Sequence, residues 1–233
     1  MRKTTTILFS MLIIFSCCAC GTVADTSQSD DPVSRAVFVN GSLYLDTGSI
    51  STVEGRCGVM DGEINDTVSP EVYPTKNNQS NFGIGYQYQW GLNNTLEVLI
   101  SENYIVFKRQ PDNEFGIFLT SDSVHSTGMT LVICQEDGVA QGELQTGAAY
   151  ELEKMEEGEW ELVDTINGEP AAWNDIAYLI PKGGEISMDL DWRNVYGELS
   201  DGDYRIRKII MDMRAPGDYD TAESYSYFHV YQY

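Results

Sequence analysis

The run YGELSDGDYRIRK, residues 196–208, decides the fold. Asp201-Gly202 is a tight-turn pair, since both residues tolerate the backbone angles that such a turn demands. Tyr204 stands at the start of the strand that follows. In two-sheet β-sandwiches a Tyr at such a corner returns its hydroxyl to backbone a few residues upstream and pins the strand end. Leu199, five residues earlier, is placed to pack beneath it. Tyr204 and Leu199 therefore read as structural residues, and the large apolar rings of Trp192 and Trp160 read as core anchors.

Working outward, short strands recur between turn signals. They are FGIFLT (115–120), MTLVIC (129–134), AYELEKM (149–155), EWELVD (159–164), AYLI (177–180), EISMDLDW (185–192), YRIRKIIMDM (204–213) and SYFHVYQY (226–233). Eight short strands with regular turns indicate an immunoglobulin-like β-sandwich over 113–233. Upstream, AVFVNGSLYLDTG (36–48) carries two alternating runs around Asn40-Gly41, the strongest short hairpin signal. Residues 54–83 are rich in Gly, Asn, Asp and Pro and forbid a long helix. GIGYQYQW (83–90), TLEVLI (95–100) and YIVFKR (104–109) then read as three more strands. The chain is thus expected to be all-β: a small antiparallel sheet or open barrel at 35–110, a boundary at Gln110-Pro111-Asp112-Asn113, and the sandwich.

Two segments carry a resemblance. YELEKMEEGEWELV (150–163) and IAYLIPKGGEISMDLDWRNVYGELSDGDYRIRK (176–208) resemble a bacterial Ig-like domain of secreted proteins of Gram-positive anaerobes. That resemblance covers about half the chain and implies a sandwich fold; it brings no catalytic residues. VNGSLYLDTG (39–48), GRCGVMDGEI (55–64) and NNQSNFGIGYQYQW (77–90) are similar to a small extracytoplasmic module of bacterial lipoproteins and β-lactam-sensing membrane peptidases. It implies an outward-facing unit with no assigned activity.

The N-terminus gives an address. Met1-Arg2-Lys3 is a short positive patch, and residues 7–15 are an apolar run too short for a bilayer, which needs about 20 residues. Small residues and cysteines follow, as in a secretory signal peptide over 1–20. Cut before a lipid-modified cysteine, it makes a lipoprotein. Cys17, with Ile14 at −3 and Ser16 at −1, is the favoured anchor, and Cys20, with Ala19 at −1, the second. Residues 21–34 are small, polar and acidic and are expected to form a tether. The expected location is the outer face of the cell membrane. Cys57 and Cys134 read as buried free thiols, with an interdomain disulfide as the alternative.

Composition narrows the function. The chain carries 14 basic and 36 acidic residues, for a net charge of −22. Loss of Arg2 and Lys3 with the leader leaves 12 basic residues against the same 36, or −24. A chain so acidic does not seek nucleic acid. Only His125 and His229 are available as bases, and neither has the sequence setting of a triad. Two histidines with two distant cysteines make a poor zinc set. Asp189 and Asp191 share one strand face, as a glycosidase pair could; solvent-facing acids on a strand are the simpler reading. Asp201-Gly202-Asp203 and Asp218-Tyr219-Asp220 offer loop oxygens to calcium but lack a full calcium loop. No cofactor and no metal is expected. The aromatic end SYSYFHVYQY (224–233) is either a ligand platform or a terminal strand with one face on the core. The resulting expectation is a non-catalytic surface lipoprotein that binds an unknown protein or cell-wall ligand, adheres or scaffolds. The alternative is an envelope sensor of a cell-wall fragment or antibiotic.

Overall fold

Asn40 and Gly41 both take positive φ, 47° and 70°, and so close a two-residue turn between β1 (Ala36–Val39) and β2 (Ser42–Ile50). The computed structural model describes residues 33–92 and 94–232. The expectations for the leader, for the anchor cysteines Cys17 and Cys20, and for nearly all of the tether fall outside them. The short strands β3 (Gly62–Glu63), β4 (Asp66–Thr67) and β5 (Gln79–Ser80) come next. β6 (Gln87–Trp90), β7 (Thr95–Ile100) and β8 (Asn103–Arg109) complete an eight-stranded sheet, in the order β3-β6-β7-β8-β2-β1-β5-β4. Every pairing is antiparallel except β4 with β5. The two end strands, β3 and β4, are joined by only Ile64 and Asn65. The sheet must therefore curl until its ends meet, which is the open-barrel form. Ile64, fully buried, plugs it together with Val37, Leu96, Val98 and Phe107.

The second structure has two facing sheets. β9 (Ile117–His125), β10 (Gly128–Gln135) and β15 (Glu185–Asp191) form one, in the order β15-β10-β9. The other holds β11 (Glu143–Gly147), β12 (Glu151–Glu156), β13 (Glu159–Leu162), β14 (Ala177–Leu179), β16 (Gly202–Ala215) and β17 (Asp218–Val230). Its order is β13-β12-β16-β11-β14, with β17 along β16. Alternate residues of β10 (Met129, Leu131, Ile133) meet Tyr204, Ile206 and Ile210 of β16 in one apolar core. This is the period-2 pattern of a sheet with one buried face.

β16 changes partners midway. Glu151 to Lys154 of β12 face its first half, and Glu143 to Thr146 of β11 face its second. Between them the chain bulges through Gly147–Tyr150 opposite only Lys208 and Ile209. A bulge leaves carbonyls without ladder donors. The fully buried Lys208 supplies them: its Nζ donates to Gly147 O (2.6 Å) and Ala149 O (2.9 Å).

Several sequence expectations need correction. The sandwich region has nine strands rather than eight, because β11, ELQTG, is too polar to announce itself. Asp218-Tyr219-Asp220 is strand, not a cation loop: Arg214 holds Asp218 (2.8 Å) and Asp220 (2.7 Å) across the β16–β17 ribbon. Trp160 is not a core anchor. It lies half-buried on the outer face of the sheet, because β13 is an edge strand beyond the reach of the core. Cys57 is exposed, Cys134 is partly buried, and both are free, which removes the disulfide.

Candidate functional site

The tip of the first hairpin lies against the last strand of the sandwich. Gly41 sits on the Tyr227 ring, where any Cβ would overlap the ring carbons. Its N–H donates to Asn77 Oδ1 (2.7 Å). Positive φ and close approach together require glycine at this position.

Beside this contact is a cleft of about 280 Å³. Tyr44, Trp90 and Tyr227 present aromatic surface to it, and Trp90 remains 46% exposed. The Trp90 and Tyr44 rings are 6.2 Å apart and tilted. Asn40, Asn94, Thr95, Thr120 and Ser121 supply neutral donors and acceptors. Among the described residues no carboxylate lines the cleft, in a chain that has 36 of them.

One ion does line it. Arg109, at the end of β8, donates through Nη1 to Leu119 O (3.1 Å) and through Nη2 to Asp112 Oδ1 (2.9 Å). Asp112 Oδ2 accepts from the Leu119 N–H (3.1 Å). This clamp ties the last strand of the curled sheet to β9. Burial pushes the Asp112 carboxyl up to about 6, against the pull of Arg109. Two buried polar atoms of cleft-lining residues lack a partner: Arg109 Nε and Ser226 Oγ.

Past Trp90 the surface continues into a second cleft of about 460 Å³, and Trp90 and Gly91 line both. Val53, Val59 and Leu92 expose apolar side chains there. The covering loop, residues 51–61, is held down by Arg56. Its guanidinium stacks over the Tyr104 ring at 3.7 Å, pairs with the buried Glu97, and donates to Gln89 Oε1 (2.8 Å) and Ser51 Oγ (2.7 Å). With its donors so engaged, Arg56 builds the wall and is not a free cation.

The residues singled out from sequence lie elsewhere. Tyr204 is buried and its hydroxyl donates to Ser200 O (3.1 Å), four residues upstream, with Leu199 buried in the same core. Trp192, 0% exposed, donates from Nε1 to Ser126 O (2.9 Å) and stacks on Phe228. Trp160 stacks edge-on against Tyr227 and lies under Arg205, which also covers Tyr225. The terminal aromatic run resolves into two faces. Phe228 and Val230 point into the core, and Tyr225, Tyr227 and His229 point out. Ser226 and Tyr227 of that run line the cleft, and Tyr227 is the aromatic residue among them.

His125, Ser126 and Glu198 line one pocket at the far end of the sandwich, but their hydrogen bonds do not link them as nucleophile and base. His125 Nδ1 contacts Thr127 Oγ1 (3.3 Å), whereas His229 Nδ1 contacts Asp203 Oδ1 (2.7 Å). Ser126 Oγ donates to Glu198 and Ser123 Oγ lies against Asp122. Asp189 accepts from Thr130 Oγ1 (2.8 Å). The Arg193 side chain beside Asp191 holds that carboxyl down at about 2. An acid fixed so low is a poor proton donor near neutral pH.

Sequence reasoning missed Arg109, Asn94 and Arg56. Arg109 closes an ordinary alternating strand, and only the fold reveals that its side chain turns toward Leu119 and Asp112. Trp90 carried a weak signal, as an aromatic residue next to the GLNN turn.

Comparison with known proteins gives one finding. A family model described as a bacterial Ig-like domain matches residues 113–229. No curated protein and no solved structure matches the chain.

Proposed function

From the premise that this chain belongs to the bacterial Ig-like domain family, through residues 113–229, we propose that it is a non-catalytic binding or adhesion module held on the outer face of the cell membrane. The observation that carries the reading is the cleft where the first hairpin meets the sandwich. It offers aromatic faces and neutral polar groups with neither histidine nor carboxylate. Such a lining suits recognition by contact, with a few placed polar groups fixing orientation. Acid–base chemistry wants titratable groups at the reacting atoms.

The anchor in this reading is a lipid on Cys17, with Cys20 as the second choice. The supporting features are the basic start, the short apolar run and the small residue before each cysteine. The partner is an envelope or extracellular ligand, and the acidity of the chain argues against nucleic acid.

The test is expression of the full chain in a Gram-positive host with a clickable palmitate. Label on the wild type and on Cys20→Ser, with loss on Cys17→Ser, is expected, along with digestion by protease added to intact cells. An unlabelled chain protected inside the cell would overturn the proposal. An envelope sensor remains the second outcome, and a saturable rise in thermal midpoint with a β-lactam would select it.

A further inference from the structure

We propose that the hairpin–sandwich cleft, continued past Trp90, binds an uncharged oligosaccharide. The proposal rests on the binding reading above and names its ligand class. The lining disfavours charged ligands of either sign. A primary ammonium or guanidinium calls for free carboxylates. Among the described residues the first cleft has none, and the two that line the second are engaged, Glu97 by Arg56 and Asp61 Oδ2 by the Trp90 N–H (2.8 Å). An anionic ligand needs a free cation. Among the described residues Arg109 is the only charged one lining the first cleft, and Asp112 already neutralises it at 2.9 Å. The net charge of −22 further repels anions. What remains is an uncharged molecule rich in hydrogen-bonding groups that also has apolar faces.

A pyranose has that chemistry. Its C–H faces are apolar and gain by covering an aromatic ring, while its hydroxyl edge requires donors and acceptors. Trp90 offers a half-exposed ring, with Tyr44 and Tyr227 beside it, and Asn40, Asn94 and Thr120 stand among the polar groups around them.

Length follows from Trp90. It lines both the polar cleft of about 280 Å³ and the more apolar one of about 460 Å³ on its other side. One ring in the first and a second ring over Val53, Val59 and Leu92 makes the fitting ligand at least a disaccharide.

The experiment is calorimetric titration of the full-length chain in detergent with chitotetraose, cellotetraose and mannotetraose, and with tetragalacturonate as the anionic control. Saturable binding of at least one neutral tetraose, at one per chain, is expected. Trp90→Ala and Thr120→Glu should each weaken it by about tenfold or more. Thr120 is exposed on its strand, so its variant should keep the wild-type thermal midpoint. Tetragalacturonate should bind at least about tenfold more weakly. No neutral tetraose binding, equal binding of tetragalacturonate, or indifference to both substitutions overturns the proposal. Sedimentation with Gram-positive cell envelopes separates the two readings. Envelope binding lost in Trp90→Ala but not competed by any tetraose would sink the saccharide and leave the binding module standing. A chain that binds neither envelope nor tetraose sinks both.

Discussion

Lys208 offers the sharpest check on the sandwich. It is 0% exposed, has two carbonyl partners and, among the described residues, no carboxylate near enough to pair. Desolvation pulls its ammonium from 10.5 down to about 8. Loss of the proton costs no hydrogen bond, because the neutral amine keeps two N–H groups for the two carbonyls. The folded pKa lies below the unfolded one, so stability from this group is present above 10.5 and lost as pH falls through 8. Stability should therefore rise on alkalinisation from pH 7. Linkage with these two values gives a gain of about 2 kcal/mol by pH 9.5.

Lys208→Met removes the titration. It also leaves Gly147 O and Ala149 O without donors, a cost of about 1–3 kcal/mol for each buried group. That cost does not vary with pH, so it drops out when the wild-type-minus-variant difference is followed across pH. Urea unfolding of both chains at pH 7, 8, 9 and 9.5 measures that difference. It should grow by about 2 kcal/mol in favour of the wild type. A difference that stays flat within about 0.5 kcal/mol would refute the account of a desolvated ammonium donating to a bulge. The subtraction also cancels Tyr44 and Tyr88, whose pKa values burial raises and whose ionisation would unfold both chains alike.

Asp112 should behave in the opposite sense. Its folded pKa of about 6 exceeds the unfolded 3.8, so its contribution is full below 3.8 and lost as pH rises through 6. The wild type should gain about 1 kcal/mol between pH 7 and pH 5 relative to Asp112→Asn, read by urea midpoints. Tyr204→Phe removes the hydroxyl that donates to Ser200 O and should cost about 1 kcal/mol, lowering the thermal midpoint by a few degrees. Gly41→Val places a branched side chain at φ 70° against the Tyr227 ring. It should lower the midpoint and, by displacing the hairpin tip, abolish tetraose binding.

The sandwich was legible where burial follows a simple period. MTLVIC and YRIRKIIMDM alternate, and each strand pairs in the structure along nearly the run that its sequence marks. Legibility failed where the ladder is irregular. β11 and β12 act as one strand broken by the bulge at Gly147–Tyr150, and the polar ELQTG half buries only Leu144 and Thr146. The first half of β17 reads as an acidic loop because it pairs only with β16, in a ribbon that reaches past the core. Its acids answer Arg214 instead of packing on apolar surface. Trp160 shows the same limit from the other side: aromatic size predicts burial, but only the strand order reveals that β13 is an edge. The cleft lies further from the sequence still. Asn40, Trp90, Thr120 and Tyr227 come from a hairpin turn and three strands, the first and last separated by nearly the whole described chain. No local period links them. What brings them together is the Arg109–Asp112–Leu119 clamp and the seat of Gly41 on Tyr227. Each half of that junction looks ordinary in isolation, as a strand-terminal arginine and an Asn-Gly turn. The property on which the proposed selectivity rests is the absence of carboxylates, among the described residues, from one place in an acidic chain. An absence of that kind has a meaning only after the fold has chosen which residues are neighbours.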